Sequence, residues 1–392
     1  MNRDRFPALR EGWARLDGPA GSQIVDSAIE AMADWMRSGS QANHGGAFKQ
    51  AHETDELVES TRVACATLLG GDPSGVVFGP SFTALTMRFA ATVVRELRPG
   101  DEIVCTRLDH DSNVRPWVIA AENSGATVRW AEFDPATGEL DPSAITSLLT
   151  EDTRLVAVTA ASNLIGTRPD LPTVAAAVRE AGALLYVDGV HSTAHVATDL
   201  AELGADFYAC SPYKFLGPHC GAVIAIPELL AELHPDKLVP ATEQVPERFE
   251  LGTLPYELMA GTTAAVDFLA SLGTGEDRRS RLRSAYAAIE RYEDGLRERL
   301  EEGLANLPCV VHSRAERRTP TVLVTFPDAD AAEVSVALAD RDINAPASNF
   351  YAWEASHHLG LGDAGGLRIG LAPYSTQGDV DRLLAALGEL LA

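Results

Sequence analysis

Between residues 76 and 226, short apolar runs alternate with amphipathic stretches, a pattern that few folds accommodate. The runs at 76–79, 101–106, 127–133, 155–160, 184–188 and 207–210 read as strands, several with no polar face to offer water. Helical spacing marks 142–149 and 172–181, and a further helix runs from the Pro80-Ser81-Phe82-Thr83 segment to Arg95. Strands and helices in this order build βαβ units around a largely parallel sheet. Ligands of such sheets gather beyond the carboxyl ends of the strands. Ser81, His110, Asn163, Asp188 and Lys214 each fall just past an apolar run, so the pattern predicts that they share one site.

Those residue types suit a particular chemistry. A lysine can form a Schiff base with the aldehyde of pyridoxal phosphate, and a carboxylate beside the ring nitrogen keeps that ring an electron sink. Lys214 and Asp188 can supply both. At about 4 Å and an effective dielectric near 20, the carboxylate favours a protonated ring nitrogen by about 4 kcal/mol, or about three pKa units. Ser81, Phe82 and Thr83 open a helix whose free N–H groups form a cradle for phosphate, although any helix start exposes such groups. His110 offers a flat ring able to stack and to move a proton. Asp109 and Asp111 beside it read as solvated loop charges.

Several segments resemble the class V aminotransferase family of pyridoxal-phosphate enzymes, and within it the cysteine desulfurase-like branch. They are Asp188-Gly189-Val190-His191, the turn from Ser211 to Lys214, Ser162-Asn163 with Gly166-Thr167, Phe249-Glu250-Leu251-Gly252-Thr253, and Arg368 with Gly370 and Tyr374. The resemblance implies the aspartate aminotransferase-like fold type I, an α/β fold with a mainly parallel sheet in the large domain and a small C-terminal α/β domain. On that reading residues 1–25 form an arm entering the active site, 26–275 the cofactor-binding domain and 276–392 the small domain. It implies Lys214, His110 and Asp188 as catalytic residues, with His110 stacked on the cofactor ring. Ser81, Phe82, Thr83, Asn163, His191 and Ser211 would join them in holding the cofactor, with Asn163 and His191 at the ring oxygen. Thr253 would reach the phosphate held by a second copy, so a homodimer with shared sites is expected. Arg368 would grip the substrate carboxylate, since a guanidinium fork matches it bidentately.

The sequence departs from the desulfurase pattern at several of these places. His191 stands where Gln is common, Tyr213 where a His precedes the lysine, and Gly-Pro-Ser-Phe at 79–82 where Gly-Thr-Thr-Glu is usual. The loop of 343–352 carries Tyr351 where that branch has its nucleophilic Cys, and no Cys follows Cys309. Persulfide chemistry needs a thiolate. Asn349 and Tyr351 are instead expected to line the substrate side. The expected activity is a carbon-sulfur lyase acting on an amino acid without a persulfide cysteine; transamination and epimerisation are alternatives within the family, and a non-catalytic regulatory pyridoxal-phosphate protein is one outside it.

Composition narrows the partners. Acidic residues outnumber basic ones by 56 to 32, a formal net charge of -24, which repels nucleic acid and anionic membrane. The five cysteines are odd in number and form no Cys-x-x-Cys pair, so neither disulfides nor structural zinc is expected, and Cys220 reads as a small core residue. His357 and His358 are adjacent and would point apart, which argues against a metal. No signal-like or membrane-spanning apolar run is present, and a cytoplasmic location is expected. The polar, Gly-rich segment 38–48 reads as a flexible loop, and the family resemblance implies that it faces substrate.

Overall fold

The computed structural model describes residues 1–38 and 43–392. Residues 39–42 of the segment expected to face substrate lie outside the described residues. The central sheet has seven strands, in the order Val76–Gly79, Gly221–Ala225, Phe207–Cys210, Leu184–Asp188, Thr153–Thr159, Glu102–Thr106, Thr127–Ala131. Gly221–Ala225 runs antiparallel to both its neighbours, and the remaining pairs are parallel. Successive residues of each strand point to opposite faces. Val187 and Leu185 therefore share one core cluster with the helices Lys49–Leu69, Leu171–Glu180 and Tyr256–Ser271, while Tyr186 meets Phe89 and Trp117 of the helices Phe82–Val93 and Arg115–Ser124 on the other face. Helices on both faces explain the near-continuous apolar runs. Each fully buried Val or Leu contributes about 1.5–3 kcal/mol, and a charge at Val187 would break the layer.

Some boundaries differ from the sequence reading. The third strand stops at Ala131, and the stretch at 142–149 is helical only over Pro142–Thr146.

A second, four-stranded antiparallel sheet follows the order Ala347–Ser348, Gly366–Gly370, Thr321–Thr325, Val310–Val311. The N-terminal segment joins this layer. Ala14–Arg15 pairs in parallel with Ile343–Asn344, and the Gly370 N–H donates to the Leu16 carbonyl at 2.8 Å. A Cβ on Gly370 would lie 1.9 Å from Pro19 Cδ, so the close approach of the segment requires glycine there. The helix Arg278–Leu304 ties the two layers together. Its start is fixed by a capping box between Asp277 and Ser280. Tyr286 and Ile289 pack into the large core, and Leu296, Leu300 and Leu304 into the small one.

Candidate active site

The five residues expected to converge do so. Ser81 caps the helix Phe82–Val93, its Oγ accepting from the Ala84 N–H at 3.2 Å, which leaves the first N–H groups of that helix without an intrahelical partner. His110 follows the strand Glu102–Thr106, Asn163 follows Thr153–Thr159, Asp188 ends its strand, and Lys214 stands in the turn after Phe207–Cys210. Because these strands are parallel, all their ends open on one edge of the sheet.

A cavity of about 860 Å³ opens there, its lining including Lys214, His110, Asn163, Arg368, Asn349 and Tyr351. Beneath it lies a recess of about 80 Å³ that shares Lys214 and His110 and adds Ser81, Phe82, Asp188 and His191. Thr83 lines both, and its Oγ1 meets Ser112 Oγ at 2.7 Å. Ser211 is fully buried with its Oγ unpartnered and lines neither the cavity nor the recess. Thr253 lies elsewhere, exposed on a groove of about 400 Å³ with Phe78, Gly79 and Leu254.

Electrostatics follow from burial. Lys214 donates to the Pro19 carbonyl, and desolvation, helped by the Arg368 charge, pulls its pKa down to about 7. Asp188 is pushed up to about 7 by desolvation, against the Val190 N–H that donates to it at 2.9 Å and the Lys214 charge. His110 accepts from the Ser112 N–H at Nδ1, 3.0 Å, and burial with the Lys214 and Arg368 charges holds it neutral, at about 3. Its ring stacks on Tyr351, centroids 5.6 Å apart. Arg368 is 2% exposed, lies 3.6 Å over the Phe350 ring and donates to the Asn163 carbonyl at 3.0 Å. Burial lowers its pKa to about 9, with Asp17 opposing.

Two readings of the sequence need correcting. Asp109 is not solvated: it is fully buried, accepts from Asn113 Nδ2 at 2.7 Å and from Thr106 Oγ1, and desolvation pushes it up to about 8. Its side chain returns under the strand end, which an alternating-charge sequence does not reveal. Asp111 is only part-exposed and pairs with Arg115 at 3.1 Å. Sequence reasoning also missed Thr319 and Thr321, which approach His191 Nε2 at 2.9 and 3.0 Å from more than a hundred residues away, and the buried pair His195–Glu293 at 2.9 Å. Local spacing carries no signal for either. Cys220 is buried against Thr262, its pKa pushed up to about 11, and among the described residues no thiol lines the cavity or the recess. His357 packs on Trp353 and His358 reaches the Phe133 carbonyl at 2.8 Å; no group of metal-ligating residues occurs among the described residues. No helix there is long and apolar enough to cross a membrane.

The family model for aminotransferase class-V matches residues 14–383. This chain belongs to the class V aminotransferase family. An uncharacterized Mycobacterium tuberculosis protein, MT3887, is 33% identical over 99% of this chain and 98% of its own length. The aminotransferase-like protein FGM3 of Gibberella zeae is 31% identical, covering 99% and 97%, and a cysteine desulfurase of Salmonella agona 28%, covering 99% and 97%. Among solved structures, the cysteine desulfurase CsdA of Escherichia coli superposes with a TM-score of 0.87 at 27% identity, over 100% of this chain and 98% of that one. Class V enzymes depend on pyridoxal phosphate, and the fold is fold type I.

The recess fits that cofactor. Of the residues that line it, Asn163 at Oδ1 and His191 at Nδ1 are buried without a protein partner, a cost of about 1–3 kcal/mol each unless a ligand meets them. Asn163 Nδ2 donates one of its two N–H groups to the Phe350 carbonyl at 3.0 Å and keeps the second, while its Oδ1 has no protein partner. A ring phenolate would need a donor, which the second N–H of Asn163 or His191 Nδ1 could supply. Gly221 backs the start of the helix Phe82–Val93: a Cβ there would lie 2.5 Å from the Ser81 carbonyl carbon and 2.6 Å from the Phe82 nitrogen.

Proposed function

We propose that this class V enzyme acts on a sulfur-bearing amino acid as a carbon-sulfur lyase that forms no persulfide on the protein. The observation that carries the reading is one cavity lined by a buried lysine and a buried arginine but by no thiol among the described residues. When bound, pyridoxal phosphate supplies a ring that stabilises negative charge at the substrate α-carbon. The chain's residues do the rest. Asp188 keeps the ring nitrogen protonated, His110 stacks as a neutral ring, and the N–H groups at Phe82 and Thr83 receive the phosphate. Arg368, held flat against Phe350, orients the substrate carboxylate. Lys214, with its pKa drawn down to about 7, takes the α-proton near neutrality and returns it later. Loss of the β-sulfur substituent as a thiol, followed by hydrolysis, then releases ammonia and a keto acid.

Tyr351 supports this reading, because it occupies the loop where a desulfurase would present its thiolate. The exposed Gly252–Thr253 turn, away from its own cavity, supports delivery of Thr253 to a second copy in a homodimer. Purified holoenzyme offered a panel of amino acids tests the reaction: sulfide or thiol with ammonia and keto acid, and the cofactor band restored, is the expected result. Keto acid with a lasting shift to the pyridoxamine form and no ammonia would make the protein a transaminase instead.

A further inference from the structure

His191 has two ring nitrogens with different surroundings. Nδ1 is buried, has no protein partner and lines the cofactor recess. Nε2 faces the other way, 2.9 Å from Thr319 Oγ1 and 3.0 Å from Thr321 Oγ1. Thr321 begins a strand of the small sheet, and Thr319 lies just before it, so both hydroxyls reach the cofactor wall from the other layer of the molecule. A neutral imidazole carries one donor and one acceptor. If Nδ1 is to donate into the recess, Nε2 must accept, and a hydroxyl must supply the proton. Thr319 has longer outlets for its own proton, the Gly166 carbonyl and Thr321 Oγ1, both at 3.4 Å. Thr321 is thereby free to donate to Nε2.

We propose that Thr319 and Thr321 are positioning residues that hold His191 as the Nδ1–H tautomer, so that it donates to the ring oxygen of bound pyridoxal phosphate. The inference rests on the reading of the recess as the cofactor site. Burial, then the charges of His195, Lys214 and Arg368, keep His191 uncharged. His195 stands edge-on to it with centroids 5.0 Å apart and is itself tied to Glu293, while Asp188 shares the recess. A donor that accepts a hydrogen bond at its far end is strengthened. The threonines thus link the seating of the small domain to the charge on the cofactor oxygen.

The test is the pH at which the visible absorbance band of the holoenzyme's cofactor changes. A donor to the ring oxygen favours the deprotonated form, so its weakening moves the transition upwards. In the Thr319→Val/Thr321→Val protein the midpoint is expected to rise by about half a unit to one unit, while Thr319→Ser/Thr321→Ser stays at the parent value. Thr321→Val alone, which removes the donating hydroxyl and keeps Thr319, serves if the double variant does not fold and should move the midpoint the same way. An unmoved midpoint in the Val variants, or an equal move in the Ser pair, overturns the proposal. A parent protein with no cofactor band at all would instead overturn the reading of the recess, and the inference with it.

Discussion

Asp109 shows what a carboxyl does when the fold leaves it no water. Its folded pKa, about 8, stands far above its ordinary 3.8 because burial outweighs the bonds from Thr106 and Asn113. A raised folded pKa means that its contribution is fully present below the unfolded value, about 4, and is lost as pH rises through 8. Asp109→Asn removes that dependence and keeps one acceptor. The thermal midpoint of the variant relative to the parent should therefore climb between pH 4 and pH 8 and then level, a gain on the order of a few kcal/mol at the alkaline end. A difference flat with pH would contradict the assignment. Residue identities were legible in sequence where chemistry restricts them: Lys214, Asp188 and Arg368 each have few substitutes for their task. Asp109, Thr319 and Thr321 were not, since their roles come from contacts that only the folded chain makes.

Among the elements, the strands were legible because burial on both faces leaves an unbroken apolar run. Their ends then located Ser81, His110, Asn163 and Asp188. Loops were less so. Phe350 and Tyr351 adopt φ of +53° and +58°, a region that costs an ordinary side chain about 1–2 kcal/mol. The Asp111 N–H donating to the Tyr351 carbonyl at 2.7 Å, the Asn163 amide on Phe350 and the Arg368 stack hold them there, and Asn349 Oδ1 accepts from the Tyr351 N–H at 3.1 Å. The phosphate cradle makes a prediction of its own. Gly221→Ala drives a Cβ into the Ser81–Phe82 backbone, so apoprotein titrated with pyridoxal phosphate should bind it at least about tenfold more weakly, a loss of about 1.4 kcal/mol. Unchanged affinity would mean that this turn does not hold the phosphate.

On the scale of the whole molecule, the parallel sheet was readable from the alternation of apolar runs and amphipathic stretches over 76–226. The pairing of residues 14–15 with 343–344 was not, because two-residue strands carry no pattern. The chain has three lysines, Lys49, Lys214 and Lys237. The Lys49 side chain is 81% exposed and Lys237 is paired with Glu243, so only Lys214 stands in a recess able to exclude water from an imine. Borohydride reduction of the holoenzyme followed by peptide mapping tests this most directly. The cofactor mass should be found on Lys214 and disappear in Lys214→Ala; a tag on Lys49 or Lys237, or none in the parent, would contradict the account.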